Sequence, residues 1–215
     1  MYKLCVFDMD GTLVNSITDI AYAMNRALKI LGYPEKPENE YYQMVGKGMK
    51  ALCEAAIPKE NMKDLDKIIH EYHSYYINHC CEKTRPYDGI VDAVSAIRKA
   101  NIPCVVLSNK PHEQLLAVIN KLFPPNLFTK ILGKVDSFPQ KPSPESLEYL
   151  MHSFNVSKNE TIYIGDSNVD MTLGTNAKVQ TIGVEWGFRD RTELEEYNAT
   201  YIVKKPNELF DIVCK

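Results

Sequence analysis

No stretch of this 215-residue chain approaches the roughly 20 consecutive apolar residues that a membrane-spanning helix needs. Basic residues are not in excess: 25 Lys and Arg stand against 28 Asp and Glu, a net charge of −3. That leaves no basic stripe to meet nucleic-acid phosphates, and the charge is too mixed for a membrane-surface helix. The first seven residues reach Asp8 and Asp10 without a long uncharged stretch, so no secretory signal and a cytoplasmic protein are expected. The six cysteines include no C-x-x-C pair and form no disulfide framework for a chain of this size. His79-Cys80-Cys81 invites a metal reading, but adjacent cysteines chelate a tetrahedral ion poorly and no second cluster completes four ligands, so reduced structural thiols are expected. There is no internal repeat and no low-complexity tract.

What is present is an ordinary globular composition, 45% apolar, at a length that suits one large domain or one domain carrying an insert. The apolar run Leu4-Cys5-Val6-Phe7, followed by the turn signal Gly11, suits a strand buried on both faces. Ile17, Ile20, Ala21, Met24, Ala27, Leu28 and Leu31 then trace one helical face, ended by Gly32 and Pro34. Shorter helices are expected near 38–45 and 49–56, and a long one carries Leu65, Ile68, Ile69, Tyr72, Tyr75 and Tyr76. From about 15 to 84 the chain therefore reads as four helices and no strand. After Arg85-Pro86, helix and strand alternate. Strands are expected at 104–107, 128–133, 161–165, 180–184 and 201–203, with helices at 89–100, 113–122, 144–154, 169–177 and 207–213. Such alternation argues for a parallel sheet covered on both faces. The economical architecture is an α/β core with a helical insert just after its first strand.

The strongest chemical signal is Asp8-Met9-Asp10-Gly11-Thr12-Leu13. In an extended segment residues two apart face the same way, so Asp8 and Asp10 can point into one space at a strand's carboxyl end. Carboxylates that close repel, and a cation or a shared proton is needed. Three more segments fall where other strands end: Ser108-Asn109-Lys110, Lys141-Pro142 and Gly165-Asp166-Ser167-Asn168-Val169-Asp170. Singly each has a plain alternative, since Ser-Asn serves turns and Asp166 or Ser167 could simply cap the next helix. Together, at successive strand ends, they point to a site, because ligands in open α/β sheets bind at those ends.

These residues resemble the haloacid dehalogenase superfamily of phosphohydrolases, in the branch with a helical cap between its first and second motifs; phosphoglycolate phosphatases are the nearest group. The likeness extends to Gly183-Val184-Glu185-Trp186-Gly187-Phe188 and Ala199-Thr200-Tyr201-Ile202-Val203. The resemblance implies a Rossmann-like core of residues 1–14 and 85–215 and a four-helix cap of residues 15–84. It implies Asp8 as nucleophile, Asp10 as general acid and base, and Lys141 as the cation beside the transferring group. Thr12, Ser108 and Asn109 would hold the phosphoryl group, and Asp8, Asp166 and the Asp10 carbonyl would hold Mg2+. Four carboxylates, with Asp170, face only the +1 of Lys141, so no activity is expected without a divalent cation. Asp170 could orient Lys141 or a metal-bound water.

The expected reaction is hydrolysis of a small acidic phosphate monoester, 2-phosphoglycolate being the best single substrate. The alternatives are a sugar-phosphate mutase resembling β-phosphoglucomutase and a non-catalytic phosphate-dependent binding protein. Partners are expected to be that small molecule alone, with no nucleic acid or membrane, in a monomer or weak homodimer. Where many relatives have Asp, this chain has Asn15, still a helix-capping residue. Ile20 stands near the place where mutases carry a His, which lowers that alternative. Val45-Gly46-Lys47-Gly48 would lie over the site with Lys47 touching substrate, or serve as a plain inter-helix turn. Lys50 is expected to be solvated or substrate-gripping, His112 to lie on a helix surface, Arg189 and Arg191 to be surface charges, and Trp186 to pack.

Overall fold

A computed structural model describes residues 1–214. Six parallel strands form the sheet: β1 (Leu4–Phe7), β4 (Cys104–Pro111), β5 (Lys130–Lys134), β6 (Thr161–Gly165), β7 (Gln180–Val184) and β8 (Tyr201–Val203), in the order β5-β4-β1-β6-β7-β8. Two two-residue strands, β2 (Val14–Asn15) and β3 (Arg85–Pro86), pair antiparallel where the chain leaves the sheet region and returns. Cys5 of β1 sits in register with Cys104 on one side and Ile162 on the other.

All four residues of β1 are buried. Its pleat explains the unbroken apolar run. Leu4 and Val6 join a core with Val105, Leu107, Tyr163 and Leu173, while Cys5 and Phe7 join the opposite core with Val106, Ile162 and Ile164. Helices α5 (Ile90–Lys99), α6 (His112–Leu122), α7 (Glu145–Ser153), α8 (Asn168–Ala177), α9 (Arg191–Glu196) and α10 (Glu208–Cys214) accompany the strands. From β1 the chain builds outward through β4 and β5, then crosses to β6, β7 and β8. Strand order therefore reverses beside β1, whose carboxyl end is the natural place for a ligand.

Between β2 and β3 lie α1 (Ile17–Ile30), α2 (Glu38–Met44), α3 (Gly48–Ala56), a 3-10 segment Lys59–Asp64 and α4 (Leu65–His79). The apolar stripe of α1 buries Ile17, Ile20, Ala21, Met24, Ala27 and Leu28. Asp19, on the same helix, is buried and accepts bonds from Lys83 N at 2.9 and 3.0 Å, from Thr84 N at 2.8 Å and from Thr84 Oγ1 at 2.7 Å. One carboxylate thus ties the outgoing and returning crossings together. Among the described residues, no helix is long and apolar enough to cross a membrane.

Three expectations change. Asn15 lies in β2 rather than in a purely helical block, and its Oδ1 accepts weakly from Ile17 N at 3.4 Å. The first strand after the insert does not stop at Leu107; β4 runs to Pro111 with a register shift between those two residues. Ser108, Asn109 and Lys110 are buried there despite their polarity, which hid them from a search for apolar runs. The loop read after Trp186 contains α9, held by the Asp190 side chain accepting from Glu193 N at 3.0 Å. Leu194 is its only buried residue, so no apolar period announces it.

Candidate active site at the carboxyl end of the sheet

The chain leaves β1 at Asp8 and turns at once. Gly11 has φ +85°, and a Cβ there would stand 2.2 Å from Asp166 Oδ2. Gly187, in the segment after β7, is equally constrained: its Cβ would stand 2.2 Å from the Asp166 Cβ and 2.6 Å from the Gly11 carbonyl oxygen. Two glycines therefore cradle the Asp166 carboxylate. It accepts from Phe188 N at 2.8 Å and from Thr12 Oγ1 at 3.2 Å. Trp186 Nε1 donates to the Thr12 carbonyl at 3.0 Å, fastening the same turn from above.

Asp8, Asp166 and Asp170 are all buried and bring oxygens within 4.8 Å of one another. Burial, reinforced by Asp170 and Asp8, holds the Asp166 carboxyl well above its ordinary range. Burial likewise pushes Asp8 up to about 6, although Lys141 opposes the shift. Lys141 Nζ lies 2.8 Å from Asp8 Oδ1 and 2.8 Å from Asp170 Oδ1, and accompanies Tyr163 OH at 2.8 Å. Burial presses the Lys141 ammonium down, but Asp170 and Asp8 outweigh it and hold it at about 12. The ammonium is the ion partner of the buried Asp8 Oδ1. Three buried carboxylates around one ammonium, an all-oxygen donor set and a glycine-lined cradle together fit a hard divalent cation.

Asp170 is spoken for. Its Oδ1 takes Lys141 and, at 3.3 Å, Tyr163 OH; its Oδ2 takes Ser167 Oγ at 2.7 Å and Ser167 N at 3.2 Å. Ser167 and Asp170 thereby form a capping box on α8, the helix-capping alternative for this motif. Asp170 orients Lys141 and leaves Asp8 and Asp166 as the less encumbered carboxylates.

Asp8 and Asp10 both line one cleft between the sheet and the helical insert. Asp10 accepts from Lys110 Nζ at 2.9 and 2.8 Å and from Ser16 Oγ at 2.6 Å. Lys110, to which no role fell in the sequence, is thus a second buried ammonium at the site. Ser108 is buried and lines the cleft, its Oγ accepting from Lys110 N at 3.3 Å. The Asn109 side chain is a strut: it donates to the Gly46 and Lys141 carbonyls, each at 3.0 Å, and accepts from Lys141 N at 2.8 Å. Thr12 is fully buried and reaches Asp166 rather than the cleft.

Val45, Gly46, Gly48 and Met49 line the cleft, whereas Lys47 between them is exposed and does not. Lys50 is exposed and faces Glu54 at 3.9 Å. Arg189 is no surface charge. It is 7% exposed and reaches into the insert, donating to the carbonyls of Tyr42, of Gln43 at 3.4 Å and of Val45 at 3.0 Å. Arg191 is the exposed one, paired with Glu185 and Glu195 at 2.6 Å each. His112 accepts from Gly133 N at 3.1 Å through Nδ1 and has a structural part in the strand-to-helix turn.

The arrangement offers a buried carboxylate beside an ammonium, a set of buried carboxylates that could hold a cation and a second carboxylate lining the same cleft. Residues 5–184 match the family model described as haloacid dehalogenase-like hydrolase. A phosphoglycolate phosphatase of Colwellia psychrerythraea is 28% identical over 214 residues, covering 96% of this chain and 95% of that protein. One from Haemophilus influenzae is 26% identical over 220 residues, covering 99% and 98%. The crystal structure of a predicted phosphoglycolate phosphatase from Haemophilus somnus superposes with a TM-score of 0.92 at 25% identity, covering 98% of this chain and 97% of that one.

Proposed function

The chain belongs to the haloacid dehalogenase-like hydrolases and is a phosphoric monoester hydrolase of that family; we propose that its substrate is a small acidic monoester, 2-phosphoglycolate first, and that Asp8 carries the phosphoryl group. The observation that carries this reading is Asp8 itself. It is buried at the end of β1, its Oδ1 paired with Lys141 and its carboxylate close to Asp166, and it lines the cleft that Asp10 also lines.

In the proposed reaction an Asp8 oxygen attacks phosphorus and the bond to the leaving oxygen breaks, giving an aspartyl-phosphate. Asp10 gives the leaving oxygen its proton, then takes one from the water that attacks the intermediate, releasing phosphate and freeing Asp8. Lys141, held by Asp170, balances charge on Asp8 and the transferring group. Ser108 and the backbone at Asn109 hold phosphoryl oxygens, and Thr12 supports from behind by fixing Asp166. Asp8, Asp166 and the Asp10 carbonyl would hold Mg2+, which supplies charge neutralisation for a dianionic substrate among four carboxylates. The helices of residues 15–84 act as a cap over the core of residues 1–14 and 85–215, excluding water from the cleft. Ile20, an apolar residue on the cleft wall, favours hydrolysis over sugar-phosphate transfer.

The reading is tested on the enzyme with Mg2+ and 2-phosphoglycolate, quenched in acid and weighed intact. The native chain is expected to gain the mass of one phosphoryl group, on the peptide containing Asp8. Asp8→Asn is expected to gain none and to lose turnover by more than about a thousandfold. Full turnover in that variant would refute the nucleophile.

A further inference from the structure

Lys110 has no part in the reaction above, yet its side chain is only 4% exposed and it belongs to the site. The irregularity in β4 between Leu107 and Pro111 carries it to the cleft, as such irregularities re-aim side chains. Its Nζ donates to both oxygens of Asp10, at 2.9 and 2.8 Å, and stands 4.7 Å from the centre of the Tyr76 ring. Asp10 takes a third donor from Ser16 at 2.6 Å. Away from Asp8 the cleft is walled by Ile20, Val45, Met49, Leu52 and Tyr72, and among the described residues lining it Lys110 is the only cation.

That crowding sets a condition. To serve a leaving oxygen Asp10 has to carry a proton, and a protonated carboxyl is a poorer acceptor for the donors around it. Ser16 is fully buried behind it and does not line the cleft; Lys110 does. A buried ammonium left without an acceptor is costly, more so against apolar walls. A leaving group that carries its own carboxylate supplies the acceptor as it enters, and a neutral one does not. We propose that Lys110 is the residue that selects the substrate, binding a carboxylate on the leaving-group side of the monoester in exchange for Asp10. The assignment rests on the phosphatase reading above and gives it a selectivity. A lysine suits the task, as a compact charge on a flexible stem that moves from one acceptor to another.

The test compares 2-phosphoglycolate with 2-hydroxyethyl phosphate, which keeps the length and replaces the carboxylate with a hydroxymethyl group. The Mg2+-loaded native enzyme is expected to favour the first in kcat/KM by about 100-fold or more. Lys110→Met is expected to erode that preference by about 10- to 100-fold, the effect of one hydrogen bond to a charged group, chiefly by raising KM for 2-phosphoglycolate. An equal fall on both substrates would overturn the proposal and leave Lys110 as a positioning residue for Asp10. A second readout needs neither the variant nor turnover. Calorimetry of the native Mg2+-loaded enzyme is expected to show glycolate binding at least about tenfold tighter than ethylene glycol, and equal binding overturns the assignment. Absence of turnover on both esters, with glycolate still preferred, would refute the phosphatase reading and leave the carboxylate site standing.

Discussion

Four carboxylates and two ammonium groups share the carboxyl end of the sheet, and burial acts on the two kinds of charge in the same direction, toward neutrality. Lys141 escapes because Asp170 and Asp8 outweigh its burial; Asp8 and Asp166 do not, and both are pushed up. The consequence for stability has a definite sign. Without a cation, the folded protein holds protons on Asp8 between the ordinary carboxylate value near 3.9 and about 6, while the unfolded chain has released them. Across that window stability falls as pH rises. A divalent cation takes the place of the proton, so its stabilising effect is expected to grow from pH 5 to pH 7. Melting curves with Mg2+ and with a chelator check this, and a shift in midpoint that stays flat over that range would contradict it. These carboxylates were legible in the sequence because spacing and strand-end placement single them out. Lys110 was not, since a single chain carries no mark that separates a buried lysine from a solvated one.

Arg189 joins two elements that are far apart in the chain. From the segment after β7 it reaches the carbonyls at the carboxyl end of α2, and Glu193 stands 3.4 Å from its Nε. Those carbonyls have no helical partner of their own, and a cation there also complements the helix dipole. The same contact holds Val45 and Gly46, which line the cleft. Arg189→Met is expected to cost about 2–3 kcal/mol and to lower the melting midpoint by about 5–10 °C. It is also expected to raise KM more than it lowers kcat, because it loosens the roof and spares Asp8. Unchanged melting and KM would show the contact to be idle. The polar stretch around Arg189 looked like surface because its partners are backbone carbonyls, which no side-chain pattern reveals. For the same reason α9 escaped notice, held by a cap and ion pairs rather than an apolar stripe. The end of β4 carries no apolar pattern because its last residues, Ser108 to Lys110, are buried although polar.

In the molecule as a whole, a sheet that ends in carboxylates and a helical insert line one cleft. The alternation of helix and strand was readable because parallel strands covered on both faces leave unbroken apolar runs, as β1 does. The order of the strands was not, since it depends on crossovers that composition does not encode; nor was the two-residue ladder of β2 and β3, too short to carry a pattern. That order puts β1 between β4 and β6 and so brings Asp8, Lys110 and Asp166 to one place. There, we propose, a small acidic phosphate monoester is hydrolysed with the help of a divalent cation. Phosphate release from a panel of 2-phosphoglycolate, sugar phosphates, nucleotides and pyrophosphate, each with Mg2+ and with a chelator, tests it most directly. Strong release from 2-phosphoglycolate with Mg2+, weak release from the larger esters, and none with the chelator are expected. Release that persists undiminished in the chelator, or that favours a neutral sugar phosphate, would contradict it.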